Sequence, residues 1–191
     1  MTDSSIALIT KQTRRESDEI RIIQAARKAP RVFGELYQLY VQQVFRYLYS
    51  RLGNVHDAED ITAQTFLVAF ESFDRFRQDG HFSSWLFTIA RNKAMDHFRR
   101  RINSTTMDVI ESIPVEYDPL AGVIQSEQAS ALSRLIQTLS EEDQELLRLR
   151  FLAEMSFPEI AHLHQRNEDA IKKSIYRLLA RLHSQLEVTN E

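Results

Sequence analysis

The sequence has no cysteine among its 191 residues, which excludes disulfides, thiolate nucleophiles and cysteine-based zinc sites, and is typical of a reducing compartment. Glycine and proline are scarce, with four of each, so a turn-rich all-β fold is not expected and helices are favoured. No apolar run approaches the roughly 20 residues that span a bilayer, and the N-terminus lacks the apolar core and cleavage site of a signal peptide. We therefore expect a helical protein of the cytoplasm.

Hydrophobic residues make up 43% of the chain and charged residues 27%, which is the balance of a folded protein rather than a disordered one. A chain of this length forms one ordinary domain or two small ones. Its net charge of −3 does not by itself indicate a nucleic-acid partner.

The distribution of the charges is more informative than their sum. Residues 91–101 carry five basic side chains and one acid, residues 102–133 carry five acids and no Lys or Arg, and residues 166–181 carry five basic side chains and two acids. Two basic blocks separated by an acidic stretch indicate two surfaces that face a polyanion, joined by a segment with another role. The alternative is two solvated helical faces.

The first half of the chain has the apolar spacing of helices. Residues 31–52 carry a helical stripe, Gly53 closes this helix, and Asn54 is placed to cap a second helix that runs to about Phe73. Ser83 or Ser84 is expected to cap a third helix. The stripe of the first helix consists of Phe33, Leu36, Tyr37, Tyr40, Val44, Tyr47 and Leu48, and the inward lines of the second contain Ile61, Thr65, Val68, Phe66, Phe70 and Phe73. The third helix should end at about Arg101, with Leu86, Ala90 and Ala94 inside.

Residues 103–118 break this pattern with Ser, Thr, acids and an interior Pro114, and they are read as an extended linker. Asp118-Pro119 then has the form of a helix start, and the helix should reach about Leu139.

The C-terminal part has sharper helix signals. Ser140 is expected to cap a helix, and Ser156-Phe157-Pro158-Glu159 has the form of a capping box that opens a short helix to His164. Asn167 can cap a final helix to about Leu186. Its inner stripe is Ile171, Ile175, Leu178 and Leu182, and its outer face carries Lys173, Tyr176 and Arg177. A short capped helix, a tight turn and a longer helix with a basic outer face indicate a helix-turn-helix, for which a plain helical hairpin is the alternative.

Sequence motifs for catalysis are missing. No glycine-rich phosphate loop, no G-x-S-x-G and no H-E-x-x-H occurs. His162 and His164 stand two apart on a helix and are a poor metal pair. Asp57 and Asp60 could imitate paired catalytic carboxylates, but nothing nearby supplies a nucleophile. We expect no enzyme, no metal and no cofactor.

Two blocks of the sequence together resemble a known family. GNVHDAEDITAQTFLVAFESFDRFRQDGHFSSWLFTIARNKAMDHFRRR resembles region 2 of bacterial extracytoplasmic-function sigma factors of the sigma-70 family, and LSEEDQELLRLRFLAEMSFPEIAHLHQRNEDAIKKSIYRLLARL resembles their region 4. The likeness covers roughly residues 18–187. It implies an all-α fold of two small helical domains joined by an extended acidic linker. The implied organisation is a flexible tail at residues 1–17, region 2 at 18–102, the linker at 103–118, region 4 with its helix-turn-helix at 119–187, and a tail at 188–191.

The same resemblance implies a subunit that binds core RNA polymerase through the clamp helices of the largest subunit and the β flap, and directs transcription from promoters with −35 and −10 elements. The resemblance also implies an anti-sigma factor as a further partner, and no membrane insertion is expected. The residues that match the core-binding positions are Asp57, Asp60 and Gln64.

The resemblance also implies two sets of DNA-binding residues. Asn92 offers a donor and an acceptor to a flipped base and Asp96 an acceptor, while Lys and Arg suit phosphates and guanine edges. The residues that match the −10 reader are Arg77, Gln78, Asp79, His81, Arg91, Asn92, Lys93, Asp96, Arg99 and Arg100. Those that match the −35 reader are Arg150, Asn167, Lys172, Lys173, Tyr176 and Arg177. Trp85 is expected to support the −10 region by packing.

Several positions depart from the family pattern. Ala63-Gln64 stands where Gln-Glu is usual, and Asp169-Ala170 replaces Gly-Thr at the start of the last helix. The −35 contacts are therefore expected to be the more unusual set. One alternative is a helix-turn-helix regulator that binds promoter DNA without polymerase, and another is an interaction module that has lost promoter activity.

Overall fold

The computed structural model describes residues 18–77, 81–105 and 127–189, and they are almost entirely helical. Residues 18–28 form α1, and a 3₁₀ turn at Pro30–Val32 leads into α2. The remaining helices are α2 (Phe33–Leu52), α3 (Val55–Glu71), α4 (Phe82–Thr105), α5 (Glu127–Gln137), α6 (Glu141–Leu147), α7 (Phe157–His164) and α8 (Glu168–Thr189). A 3₁₀ turn at Phe73–Arg75 follows α3, and a π turn at Arg148–Leu152 follows α6. The predicted all-α fold class is confirmed.

Helix boundaries follow the capping signals at most positions. Gly53 ends α2 in the left-handed region at φ 69°, where a residue without Cβ has no steric cost. The Asn54 side chain accepts from the Asp57 backbone N–H at 3.0 Å and so caps α3. Ser140 caps α6, and Ser156 with Glu159 forms the predicted capping box of α7.

The start and end of α4 differ from the prediction. The helix begins at Phe82, so Ser83 and Ser84 lie inside it and are buried instead of capping it. Their hydroxyls are used in tertiary contacts described below. The helix continues to Thr105, past the predicted end at Arg101, and residues 102–105 contain no Gly or Pro that would stop it. The rest of the predicted linker and the helix start at Asp118-Pro119 lie outside the described residues.

The hydrophobic core runs through α1–α4 and continues into α6–α8. We call α1–α4 (residues 18–77 and 81–105) the N-terminal unit and α5–α8 (residues 127–189) the C-terminal unit. Fully buried aromatic rings from α2 and α4 meet fully buried aliphatic side chains from α6, the π turn and α7 in one cluster. The largest of these side chains are Tyr40, Tyr47, Phe82, Phe87, Leu146, Leu149, Met155 and Ile160.

A second, smaller cluster of Leu139, Leu147, Leu178 and Leu182 holds α5 and α6 against α8. No helix within the described ranges is long and apolar enough to cross a membrane.

Two aromatic side chains that the helical stripe placed inside are partly exposed. Phe70 is 48% exposed although its ring meets Phe33 edge-on at 5.3 Å, and Tyr37 packs one edge on Phe66 at 4.8 Å while its other side faces solvent. Phe66, also predicted inside, is buried. The apolar arc of α3 is thus wider than the surface that α2 and α4 cover.

Substituting Phe87→Ala should lower the free energy of unfolding by about 3–5 kcal/mol, because the ring is fully buried and meets Tyr47 edge-on at 5.4 Å. Urea denaturation followed by circular dichroism measures the change. Ile102→Ala on the same helix is the control, since Ile102 is 67% exposed and its loss should change stability by less than about 0.5 kcal/mol. Equal losses in the two variants would contradict the position of Phe87 in the core.

Candidate nucleic-acid interface

The last two helices form the predicted helix-turn-helix. α7 ends at Gln165 in the left-handed region, and the Asn167 side chain then accepts from the Asp169 N–H at 2.8 Å at the start of α8. Ile171 and Ile175 bury one face of α8. The opposite face exposes the four basic and aromatic side chains that the sequence placed there, which are Lys172, Lys173, Tyr176 and Arg177.

Arg150 reaches this exposed face through a short chain of aromatic contacts. Its guanidinium donates to the Met155 carbonyl at 2.7 Å and stacks 4.7 Å from the centre of the Phe157 ring. Phe157 in turn lies 5.9 Å from the ring of Tyr176, which is 55% exposed. The structure therefore brings Arg150, from the turn before α7, beside α8.

The residues predicted to read the −10 element lie along α4 and just before it. Asn92, Asp96, Arg99 and Arg100 are exposed, while Arg91 and Lys93 are half-buried. Arg77 and His81 are exposed, and Gln78 and Asp79 fall outside the described residues. Trp85 packs against Phe76 and Phe82 with ring centres 5.2 and 5.6 Å away, which fits the supporting role predicted for it.

α3 presents a separate surface that mixes polar and apolar side chains. Asp60 is exposed, and Gln64 and Leu67 follow it at the i+4 and i+7 spacing of one helical face. Leu67 is 57% exposed, and the partly exposed Phe70 continues the apolar part. Asp57 lies at the start of the helix, with its carboxylate 3.5 Å from His97 Nε2. Sequence reasoning identified the polar members and missed the two exposed apolar ones.

A buried polar cluster between the two units was not predicted. Glu145 of α6 is only 3% exposed, and its carboxylate accepts from the Tyr47 hydroxyl at 2.7 Å and from the Arg51 guanidinium. Arg148 Nη1 lies 3.8 Å away and Arg91 Nε 4.0 Å away. One predicted −10 residue, Arg91, is thus directed toward the C-terminal unit.

Burial shifts the pKa values of two side chains in this cluster. Burial, together with the charge of Glu145, holds the pKa of Tyr47 far above its ordinary value, so the hydroxyl stays protonated and donates. Burial lowers the pKa of Arg148, while the neighbouring Glu145 carboxylate acts in the opposite direction. Nothing in a single sequence signals the cluster, because its members are separated by roughly a hundred residues along the chain.

The two units make further polar contacts at the same face. The Ser83 hydroxyl donates to the Glu159 carboxylate, and the Ser84 hydroxyl donates to the Glu159 backbone carbonyl at 2.7 Å. Arg46 pairs with Glu154 at 2.6 Å on the surface. Within the described ranges, no group of three or more His, Asp or Glu side chains is placed to hold a metal ion.

Comparison with protein-family models gives two matches that together span more than half of the chain. Residues 36–102 match the model described as Sigma-70 region 2, and residues 129–182 match Sigma-70, region 4.

Curated relatives extend the similarity over nearly the whole chain. The chain is 37% identical over 175 residues to the ECF RNA polymerase sigma factor BldN of Streptomyces coelicolor, which covers 87% of this chain and 66% of BldN. It thus spans about two thirds of that relative. It is 26% identical over 177 residues to the ECF RNA polymerase sigma factor SigW of Bacillus subtilis, which covers 87% of this chain and 95% of SigW.

Among solved structures, CnrH in complex with the cytosolic domain of CnrY is similar, with a TM-score of 0.58 and 28% identity. The similarity covers 90% of this chain and 97% of CnrH.

His164, near the cluster between the units, gives a pH prediction. Burial and then Arg91 and Arg166 hold its pKa below 6.5, opposed by Glu145 and Glu142. The unfolded chain therefore binds the proton first as pH falls, so the folded state loses stability below about pH 6.5 and down through the lower folded pKa. In urea denaturation at pH 7.5 and 5.5, His164→Gln should show a smaller loss of stability than the wild type.

His162→Gln is the matched control for this prediction, because His162 lies two residues away on the exposed side of α7. It should lose as much stability between the two pH values as the wild type. If His164→Gln also lost as much, His164 would not be the group responsible.

Proposed function

The chain belongs to the sigma-70 family, in its extracytoplasmic-function group, and from this we propose that it binds core RNA polymerase and directs transcription from promoters with particular −35 and −10 elements. The observation that carries the proposal is the outward basic and aromatic face of α8 in a helix-turn-helix. A factor of this kind acts by binding and has no catalysis of its own. The alternative of a regulator independent of polymerase leaves the match to region 2 without a role.

The −35 element would be read by α8. Its exposed face carries three cations and a tyrosine, and Arg150 lies beside it through Phe157 and Tyr176. A helix of this width fits the major groove, where each good bidentate pair of Lys or Arg with guanine contributes about 1–3 kcal/mol of discrimination. We assign this role to Arg150, Asn167, Lys172, Lys173, Tyr176 and Arg177.

The −10 element would be opened and read by α4 and the segment before it. Strand opening costs stacking and pairing energy of a few kcal/mol, which a pocket for a flipped base and phosphate contacts must offset. Asn92 and Asp96 are exposed on α4 and offer amide and carboxylate groups to a base edge. We assign phosphate contacts to Arg91, Lys93, Arg99 and Arg100, and further contacts to Arg77, Gln78, Asp79 and His81.

Core polymerase would bind the outer surface of α3. Stable protein interfaces have an apolar centre with a polar rim, and Leu67 and Phe70 provide exposed apolar area beside Asp60 and Gln64. Asp57 completes the polar set at the start of the helix. For the domains we propose the limits 18–102 for region 2, 103–118 for the linker and 119–187 for region 4.

A second protein that holds the factor inactive is also proposed. CnrH is seen in complex with the cytosolic domain of CnrY, and a partner of that kind would be an anti-sigma factor here. A cleft of about 790 Å³ lies between α4 and the C-terminal unit. Its walls combine apolar Met95, Phe98 and Ile102 with charges of both signs, a composition suited to an amphipathic helix.

The test is in vitro transcription with purified core RNA polymerase on a fragmented genomic DNA library, with and without this protein. We expect start sites that appear only with the protein and share a −35 and a −10 sequence. Specific DNA binding by the free protein, with no effect on polymerase, would favour the regulator instead. Core binding without new transcripts would favour a module that has lost promoter activity.

Substituting Lys173→Ala or Arg177→Ala should reduce transcription from such a promoter by about tenfold each, because each removes an exposed cation from the helix that reads the −35 element. Template competition measures the change. Arg181→Ala is the matched control on the same helix, since Arg181 pairs with Asp143 of its own unit at 3.1 Å. Equal losses in all three variants would indicate a general effect of charge rather than recognition by the outer face of α8.

A further inference from the structure

We propose that His81 and His162 together bind one divalent transition-metal ion, of the zinc, nickel or copper type, where the start of α4 meets α7. The centres of the two imidazole rings lie 6.2 Å apart and the ring planes cross at 80°. Sequence spacing offers His162 only His164, which points to another side of α7, whereas the fold supplies His81 from the residue before α4. The metal site itself does not depend on the proposed function, but its effect on transcription does.

The distance between the two rings fits a shared ion. An imidazole nitrogen binds zinc at about 2.0–2.1 Å, which puts the ring centre about 3.2 Å from the metal. Two rings on one ion therefore have their centres about 5–6.5 Å apart, depending on the angle at the metal. The observed 6.2 Å falls in this range. Both side chains are exposed, so rotation of the rings can direct one nitrogen of each at a common point.

The two histidines stand on elements that are bonded to each other. The His81 carbonyl accepts from the Trp85 N–H at 3.2 Å, so its backbone joins the first turn of α4. On α7, Glu159 lies one turn before His162, and its backbone carbonyl accepts from the Ser84 hydroxyl at 2.7 Å. Two metal ligands on rigid elements lose little conformational freedom when they bind an ion, which favours a shared ion over two separate ones.

Neither imidazole is occupied by another partner. In the part of the chain that the structure describes, neither ring takes part in an ion pair or a hydrogen bond, and the contact between the rings is the one recorded for them. By contrast, the exposed His183 of α8 lies 3.5 Å from the Glu187 carboxylate. Since both His81 and His162 face solvent, an ion can enter and water can complete its coordination.

The ligand chemistry selects the kind of ion. Imidazole nitrogen suits zinc, nickel and copper, whereas magnesium and calcium prefer oxygen ligands. The Glu159 carboxylate is not a further ligand, because it accepts from the Ser83 hydroxyl and from the N–H and hydroxyl of Ser156. Two protein ligands bind more weakly than the four of a structural zinc site. The pair is therefore suited to reversible binding that follows the concentration of free ion.

Under the proposed function, bound metal competes with DNA at His81, which is among the residues assigned to the −10 element. An imidazole nitrogen that coordinates a metal cannot also bond to a base or a phosphate. At an ion concentration of ten times the Kd, only about one chain in eleven keeps the site free. The protein concentration that half-saturates transcription should then rise about tenfold.

Calorimetric titration of the full chain, without an affinity tag, with zinc or nickel chloride tests the site. We expect one ion per chain, and His81→Gln or His162→Gln should each weaken its binding by about tenfold or more, because a single imidazole remains. The double variant should bind no more weakly than either single variant, since the two rings act together. His183→Gln is the matched control, because His183 is also exposed, and it should leave this affinity unchanged.

Electron paramagnetic resonance with one equivalent of Cu²⁺ counts the imidazole ligands directly. The wild type should show two coordinated imidazoles, and His162→Gln should show one. Wild-type affinity in both single variants, or one coordinated imidazole in the wild type, would overturn the metal site.

In vitro transcription with His162→Gln separates this effect from any action of the metal on polymerase itself. His162 is not among the residues assigned to DNA, so the variant and the wild type should be equally active without metal. With zinc at ten times the measured Kd, the wild type should need about tenfold more protein and His162→Gln should not. Equal responses of the two proteins would overturn the effect on transcription. A wild type that gives no promoter-specific transcripts without metal would overturn the proposed function and leave the calorimetric result standing.

Discussion

Glu145 brings a carboxylate into the interior of the molecule, and the arrangement of the two units depends on how that charge is neutralised. A buried carboxylate is tolerated only when charge and hydrogen bonds compensate for the lost water. Tyr47 and Arg51 supply these from α2, one helical turn apart, and so hold α6 against the N-terminal unit. The π turn and α7 follow from α6, and the position of the helix-turn-helix is fixed in consequence.

The backbone next to this contact is irregular. The π turn at Arg148–Leu152 is followed by Glu154 at φ 56°, a conformation that is uncommon for a residue with a side chain. Together these features rotate the chain so that Leu149 and Met155 face the shared core while Arg150 faces α8. The same short segment thus joins the contact between the two units to the proposed −35 surface.

The sequence predicted the local elements well because their signals are local. A glycine at φ 69°, an asparagine cap and a serine–glutamate capping box each depend on residues within one helical turn. The errors came from tertiary structure. Ser83 and Ser84 look like caps in sequence, but they bond to Glu159 of another helix some 75 residues away. Phe70 fits the apolar stripe of α3, but no neighbouring element covers it fully.

Of the candidate site, the outward face of α8 could be predicted from the sequence, whereas the cluster around Glu145 could not. The outward face of α8 follows from its apolar period, since Ile171 and Ile175 fix which side is buried. The cluster around Glu145 gave no such signal. In sequence, Glu141, Glu142 and Glu145 are three similar acids on one short helix. Packing against the N-terminal unit buries Glu145 and leaves Glu141 and Glu142 exposed. Contacts between residues that lie far apart in the sequence cannot be predicted from the local residue pattern or its periodicity.

The departures at the start of α8 bear on how DNA is read. Asp169 stands in the first turn, where a carboxylate stabilises the helix through its dipole but repels a phosphate at the same position. If α8 reads DNA as proposed, phosphate binding by its N-terminus would therefore be weaker than at a helix start without an acid. Under the proposed function, recognition would then depend on cations further along the helix and on Arg150, which stacks on Phe157. The proposed −35 specificity would thus involve the stacked Arg150 beside α8 as well as α8 itself.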